Sequence, residues 1–287
     1  MKTIKYLLIA IFIISLVSTG LIYKPTPAHT ILLRATESSI SPVFLSRSAE
    51  ILARRLKSFS NEKSEVYAVS ESNQIKVSLY GDWDLETAEK LLTQTGTLEF
   101  YETYNFRKLT ELLDDHGNKL VSLLHRKDPR DSSAEIGCVS PSEVHIANEY
   151  LGTLSLDKTC KFFWSNLFEK PEACLYALRL VDGDGALLKG KYLEDFKFNA
   201  DDALKKYQIE FKVSKPLIPV WAEITRRNIN NSIAIVLDNK VIYAPVVRDE
   251  ITGGSCVISG NFTKSEMQYL ASVVESGELP VNFKVMK

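Results

Sequence analysis

The sequence predicts an α+β protein in which two units share one order of elements, with an α+β insert between them and an apolar segment in front. Two apolar patterns alternate along the chain: short runs that are typical of strands, and longer stretches with an apolar residue every three to four positions, typical of helices. The order β-α-β-β-α-β can be followed at 31–104 and again at 208–285. With 45% hydrophobic and 10% aromatic residues among 287, the composition is that of a globular protein.

The N-terminal segment, residues 1–24, is predicted to enter a membrane. Residues 6–23 are almost all apolar or small and follow Lys2 and Lys5. Their number is near the lower limit for a spanning helix, and Thr26-Pro27-Ala28 is a poor signal-peptidase site because it contains proline. We therefore expect an uncleaved single-pass anchor with its short N-terminus inside. A cleaved signal peptide is the alternative.

The first unit is predicted over residues 25–104. Leu45, Ala49, Leu52, Leu56 and Phe59 form one helical stripe after a short strand. A hairpin over 66–80, a second helix over 85–95 and a strand over 97–101 follow. This is the order of a ferredoxin-like unit.

The second unit is predicted over residues 207–287 and follows the same plan. A helix passes through Trp221, the β-branched run 233–237 reads as a buried strand, and residues 241–247 return as its hairpin partner. Pro245 cannot donate to a ladder, so we expect that strand to be an edge or to carry a bulge. Thr263 and Glu266 form a capping box for a last helix. The two units are expected either to pack side by side or to interleave as one base.

The insert, residues 105–206, is predicted to be a small α+β subdomain. Ser140-Pro141-Ser142-Glu143 combines a capping box with proline at the first helical position, a strong helix start. Strands are expected over 161–165 and 174–181, and residues 127–134 are expected to form an exposed loop.

The sequence contains no pattern that predicts catalysis, a cofactor or a metal. Its 35 basic and 36 acidic residues give no support to nucleic-acid binding. The four histidines lack metal-ligand spacing, and Asp182-Gly183-Asp184-Gly185 lacks the oxygen ligand that a calcium loop needs at Ala186. We therefore predict no catalytic, cofactor-binding or metal-binding residues and no enzyme activity.

Four cysteines, Cys138, Cys160, Cys174 and Cys256, occur without a C-x-x-C motif and allow three disulfide connectivities. Cys160 with Cys174 is the pair we favour, since both flank neighbouring strands of the insert. Buried free thiols are the alternative.

Several segments together resemble the large periplasmic domain of the SecD and SecDF protein-export accessory family. They are A-E-I-T-R-R-N-I (222–229), S-I-A-I-V-L-D-N-K-V-I-Y-A-P (232–245), E-I-T-G-G (250–254), I-S-G-N-F-T (258–263), V-V-E-S-G-E-L-P (273–280) and L-L-T-Q-T-G-T-L-E-F-Y-E-T-Y (91–104). The resemblance implies that the two units form a periplasmic base and that the insert is its head. It also implies an inner-membrane protein that assists export by binding translocating polypeptide or a Sec translocon subunit. The family's later membrane helices are missing after residue 287, so we expect no proton-driven activity from this chain alone.

Two places are candidates for polypeptide binding. Phe162, Phe163 and Trp164 are either a patch that grips extended polypeptide or part of the head core. Tyr243 and Pro245 lie on the strand expected to offer a free edge. A peptide- or envelope-component-binding module with no export role is the alternative function, and a hydrolase or transferase is a third.

Overall fold

The computed structural model describes residues 26–113, 117–125, 133–154, 156, 159–180 and 185–286. Within these ranges no helix is both long and apolar enough to cross a bilayer. The predicted membrane segment lies outside the described residues, as do most of the predicted loop at 127–134 and the Asp182-Gly183-Asp184 motif.

The described residues form fourteen strands and seven α-helices, so the α+β class is confirmed. The strands are β1 (His29–Ala35), β2 (Ser64–Val69), β3 (Gln74–Leu79), β4 (Leu98–Tyr104), β5 (Glu135–Val139), β6 (Cys160–Trp164), β7 (Ala173–Arg179), β8 (Leu188–Lys189), β9 (Leu193–Asp201), β10 (Lys206–Val213), β11 (Ile233–Leu237), β12 (Lys240–Tyr243), β13 (Ser255–Ser259) and β14 (Phe283–Val285). The helices are α1 (Pro42–Phe59), α2 (Leu85–Thr93), α3 (Phe106–Leu113), α4 (Gly117–Leu123), α5 (Val144–Leu151), α6 (Ile218–Arg227) and α7 (Lys264–Ser276).

Helix starts follow the caps that the sequence contains. Thr263 accepts a hydrogen bond from the Glu266 amide, and Glu266 accepts one from the Thr263 amide, so the predicted capping box of α7 is confirmed. The box at Ser140 and Glu143 is also present and leads through one 3₁₀ turn into α5.

The strands form three sheets, with the orders β14-β1-β3-β2, β13-β10-β9 and β5-β7-β6-β12-β11-β4-β8. The two units exchange their last strands. β4, which follows the helices of the first unit, pairs with β11 of the second, while β14 at the end of the chain pairs with β1. Neither unit therefore closes its sheet with its own last strand, and the two interleave. The predicted boundaries at 104 and 206 stay predictions.

A buried arginine marks the place where the exchanged strands diverge. Arg55 of α1 is fully buried, and its guanidinium binds groups at the C-terminal ends of both α2 and α7. Helix C-termini leave carbonyl groups without intrahelical partners, and a cation is well placed there. Nearby, the Asp238 carboxylate accepts hydrogen bonds from the amides of Gly96 and Thr97, which start β4. Asp238 itself lies with φ of 48° in the two-residue β11–β12 turn.

The core reflects this interleaving, because one buried cluster contains residues from both units. A separate cluster fills the insert between α3–α5 and strands β5–β7. β4 also pairs with β7, at Thr103 opposite Leu178, which closes β4, β7, β6, β12 and β11 into a ring. A third, small cluster around Tyr101, Val236 and Val241 packs on these strands. Insert and base are therefore joined through shared strands.

Candidate functional site

An apolar groove of about 320 Å³ lies between α6, β13 and the segment 245–251. Its floor comes from β4, β10 and β11, the strands that the exchange brings together. The lining residues are Phe100, Phe211, Trp221, Thr225, Ile233, Ile235, Pro245, Val246, Val247, Arg248, Asp249, Ile251, Cys256 and Val257. Most of the lining is aliphatic or aromatic, so the groove suits apolar groups rather than charged ones.

Hydrogen bonds fix the segment 245–251 that forms one wall of the groove. The buried Thr225 hydroxyl accepts from the Ile251 amide at 2.9 Å and donates to the Trp221 carbonyl at 2.9 Å. At the other end of the wall, the Ile233 amide donates to the Pro245 carbonyl at 3.2 Å. Pro245 has no amide hydrogen, so its backbone contributes only the carbonyl acceptor at this position.

Three aromatic rings build the deep end. Phe100 packs edge-to-face on Trp221, with 5.6 Å between ring centroids, and lies 5.9 Å from Phe211. The Trp221 indole is 4% exposed, and its Nε1–H has no hydrogen-bond partner among the described residues. Burial raises the pKa of the Cys256 thiol to about 11. Cys256 is therefore a protonated, apolar part of the wall near pH 7.

The rim of the groove exposes apolar side chains beside an unpaired strand edge. Val257 is 47% exposed and Val246 is 39% exposed. β13 pairs with β10 alone among the described strands, so its other edge has free backbone groups. A second cavity of about 440 Å³ shares Phe211, Cys256 and Val257 with the groove and continues toward β9. Together these features offer an extended surface for an apolar chain.

The structure places the residues predicted from sequence in different surroundings. Pro245 lines the groove, and Tyr243, at the end of β12, is half-buried nearby. The predicted strand over 241–247 ends at Tyr243 in the structure. Since β12 pairs with β11 on one side and with β6 on the other, it is not an edge strand, and that alternative of the prediction is wrong. The pairing of β11 with β12 does shift register at Ile235, the irregularity that we expected around the proline.

The aromatic triplet does not form one patch. Phe162 and Trp164 pack on the insert's core, where the Trp164 indole donates to Asn148 at 2.9 Å. Phe163 points to the opposite face of the strand and meets Tyr101 edge-to-face at 6.2 Å. Their packing favours the core interpretation, and a role in binding stays a prediction.

The predicted disulfide between Cys160 and Cys174 is wrong. Cys174 is bonded to Cys138, while Cys160 and Cys256 are buried free thiols. The register explains this, because Cys138 lies directly opposite Cys174 across β5 and β7, whereas Cys160 lies opposite Arg179. Glu135, Cys138 and Cys174 are the one group of potential metal ligands in the described residues. With both sulfurs in the disulfide, this group lacks the thiolates that a metal site would use.

Sequence patterns missed most of the groove, because its residues come from six separate segments. The available signal was the amphipathic helix around Trp221 followed by two strands and a proline. Phe100 and Phe211 look like ordinary core positions of strands, and only the strand exchange places them side by side.

Comparison with known proteins relates the chain to one family. The family model described as "SecDF, P1 head subdomain" matches residues 176–281. Protein translocase subunit SecD of Calditerrivibrio nitroreducens is 29% identical over 213 residues, which are 74% of this chain and 34% of that protein. SecD of Sebaldella termitidis is 38% identical over 104 residues, 36% of this chain and 24% of that protein. SecD of Endomicrobium trichonymphae is 25% identical over 244 residues, which are 85% of this chain and 46% of that protein. The chain thus covers less than half the length of each of these relatives.

Two solved structures have a similar fold. One is described as a membrane component SecDF that enhances protein export; it is 23% identical with a TM-score of 0.53, over 90% of this chain and 98% of that one. The other is SecDF in its super-membrane-facing form, 22% identical with a TM-score of 0.56, over 99% of this chain and 34% of that one. The match to the P1 head subdomain starts inside the predicted insert and includes every groove residue except Phe100.

Proposed function

The chain is a SecD-like member of the SecDF family, and on that premise we propose that it acts as an accessory factor in protein export by binding extended polypeptide in the apolar groove. The partner is an unfolded segment of an exported protein, held on the outer side of the inner membrane by a protein that is itself anchored there. The single observation that carries this proposal is the combination of an apolar groove with the free edge of β13.

The groove supplies affinity that does not depend on one sequence. A volume of about 320 Å³ is enough for apolar side chains, and burying one Val, Leu or Phe side chain contributes roughly 1.5–3 kcal/mol. Export substrates differ in sequence, so a site for them needs apolar contacts without a fixed pattern of charged partners.

The free edge of β13 supplies a second, sequence-independent contact. An extended segment that adds to an exposed edge forms main-chain hydrogen bonds, and alternate side chains point to one face. With Val257 exposed at the middle of β13, such a segment would direct apolar side chains into the groove. Aggregation through this edge is countered by its shortness, five residues.

Site-specific photo-crosslinking in intact cells tests the proposal. A photo-reactive residue at position 257 is expected to crosslink to exported precursors while they are being translocated, and blocking translocation should increase the yield. The matched control is position 67 on β2, which is also an edge strand and where Tyr67 is 56% exposed. Binding in the groove would be contradicted if neither position crosslinks to precursors, or if positions 257 and 67 crosslink to them equally strongly.

A further inference from the structure

A third cavity, also of about 440 Å³ but separate from the groove and from the cavity beside β9, lies where β4, the end of β7 and the C-terminal end of α6 meet. We call it the arginine cavity, after Arg179 and Arg227 in its lining. Its chemistry is the reverse of the groove's, since its lining is mostly polar and charged. It shares no lining residue with the groove.

A buried carboxylate organises the cavity. Glu102 of β4 is 6% exposed and accepts three hydrogen bonds. The donors are the guanidinium groups of Arg179 at 3.2 Å and Arg227 at 2.9 Å, and the side-chain amide of Asn228 at 3.0 Å. The two guanidinium groups bind different oxygens of this one carboxylate, so they are held close together in fixed positions.

Glu102 leaves much of the positive charge in the cavity unpaired. Among the described lining residues, Lys108, Arg179 and Arg227 are cationic and Glu102 is the acid, which gives a net charge of +2. Each arginine uses one nitrogen on Glu102, and the ammonium of Lys108 has no partner in the described chain. The side chains of Arg179 and Arg227 are 55% and 43% exposed, so their remaining donors are open to solvent.

We propose that the arginine cavity binds a phosphate group, either as free phosphate or as the headgroup of a phospholipid that ends in a phosphate monoester. A phosphate monoester carries about −1.5 to −2 charges near pH 7, which matches the net charge of the cavity. It also presents three acceptor oxygens, and two guanidinium groups with one ammonium can each take one. A carboxylate has fewer acceptor sites and only half the charge, so it would leave one cation unpaired.

Glu102 makes the cavity ready for this ligand before it binds. Like charges this close would repel and turn away from each other without an anion between them. Because Glu102 is buried behind them, it fixes the inner edge of each guanidinium and leaves the outer edges free. Less side-chain freedom is then lost when phosphate enters.

Calorimetric titration of the full chain in detergent with inorganic phosphate, at constant ionic strength, tests the proposal. We expect saturable binding that Lys108→Gln weakens about tenfold, since one charge-assisted contact is lost. The Lys108 side chain forms no hydrogen bond or ion pair with the described residues, so this variant should stay folded, which circular dichroism can check. Arg107→Gln is the matched control, because it removes the same charge from the same helix but does not line the cavity. Its affinity should stay within about twofold of the parent chain.

The source of the phosphate is found with a second titrant, a short-chain phosphatidic acid below its micelle concentration. Binding of both titrants points to a lipid headgroup, and binding of inorganic phosphate alone points to the free anion. Either result, with the Lys108 dependence, supports the proposal. No saturable binding of either titrant, or equal losses in the Lys108 and Arg107 variants, would overturn it.

Discussion

Replacing Arg55 with methionine should destabilise the protein strongly, because the Arg55 guanidinium hydrogen-bonds to the C-terminal ends of both α2 and α7. The side chain is 0% exposed and keeps its charge inside the base. Burial lowers the pKa of Arg55 to about 10, while Tyr269 and Asp238 act in the opposite direction, so the group is still protonated near pH 7. Its hydrogen bonds go to the carbonyl oxygens of Leu91, Gln94, Thr95 and Gly277 and to the Ser276 hydroxyl, at 2.8, 2.5, 3.4, 3.0 and 3.1 Å.

The magnitude follows from these five contacts. A buried polar group left without a partner costs about 1–3 kcal/mol, and some of the five acceptors would recover water or rearrange. We therefore expect Arg55→Met to lower the free energy of unfolding by about 4 kcal/mol, a large part of the ~5–15 kcal/mol typical of a domain. Because both helix ends lose their common partner, the Leu279 amide, which donates to Thr95 at 2.8 Å, should also exchange its hydrogen faster.

Urea unfolding followed by circular dichroism measures the first effect, and amide hydrogen exchange the second. The matched control is Arg54→Met, since Arg54 is the exposed neighbour and makes a single contact, to the Ser276 carbonyl at 3.2 Å. It should cost less than about 1 kcal/mol. If the two variants unfold within about 1 kcal/mol of each other, Arg55 does not hold the two helix ends together and the reasoning is refuted.

Three further changes test other parts of the structure. Trp221→Phe removes an unpartnered N–H while it keeps an aromatic ring, so urea unfolding should show a loss below about 1 kcal/mol, whereas Trp221→Ala should lose about 3–5. Cys138→Ala opens a disulfide between cysteines 36 residues apart and should lower the free energy of unfolding by about 2–4 kcal/mol. Cys160→Ala, at a buried free thiol, should lower it less, and thiol titration of the unfolded parent chain should find two free thiols, not four. Glu102→Gln leaves two guanidinium groups without their carboxylate and should lower the free energy of unfolding by about 2–4 kcal/mol. The control Glu223→Gln, in an exposed ion pair, should lower it by less than about 1 kcal/mol, and equal losses in the two variants would argue against a stabilising role for the buried Glu102 carboxylate.

Local signals predicted the elements well because each depends on neighbouring residues alone. The capping boxes and the β-branched run of β11 were both predicted correctly. Pairing between distant strands has no such signal, and this is where the prediction was incomplete. The sequence order of β4 and β14 is compatible with two closed units. The exchange of these strands beside Arg55 becomes visible only in the structure, where the C-terminal ends of α2 and α7 lie together.

Some of the missing information was present in the sequence as an exception to a pattern. Arg55 lies three residues after Leu52 and next to Leu56, on the apolar face of α1, where a charged residue is expensive unless it has partners. The disulfide, by contrast, depends on register. Cys138 opposite Cys174 follows from the pairing of β5 with β7, whereas the prediction chose Cys160 because Cys160 and Cys174 flank neighbouring strands of the insert.

Binding of an unfolded precursor to the purified chain tests the central claim most directly. Fluorescence anisotropy of a labelled, permanently unfolded export substrate is expected to show saturable binding. Val257→Glu should weaken it at least about tenfold, because a carboxylate at the rim opposes burial of apolar side chains. Tyr67→Glu, on the edge strand β2 of a different sheet, should leave binding unchanged. If the parent chain does not bind, or if both variants bind as the parent does, the groove is not a polypeptide-binding site.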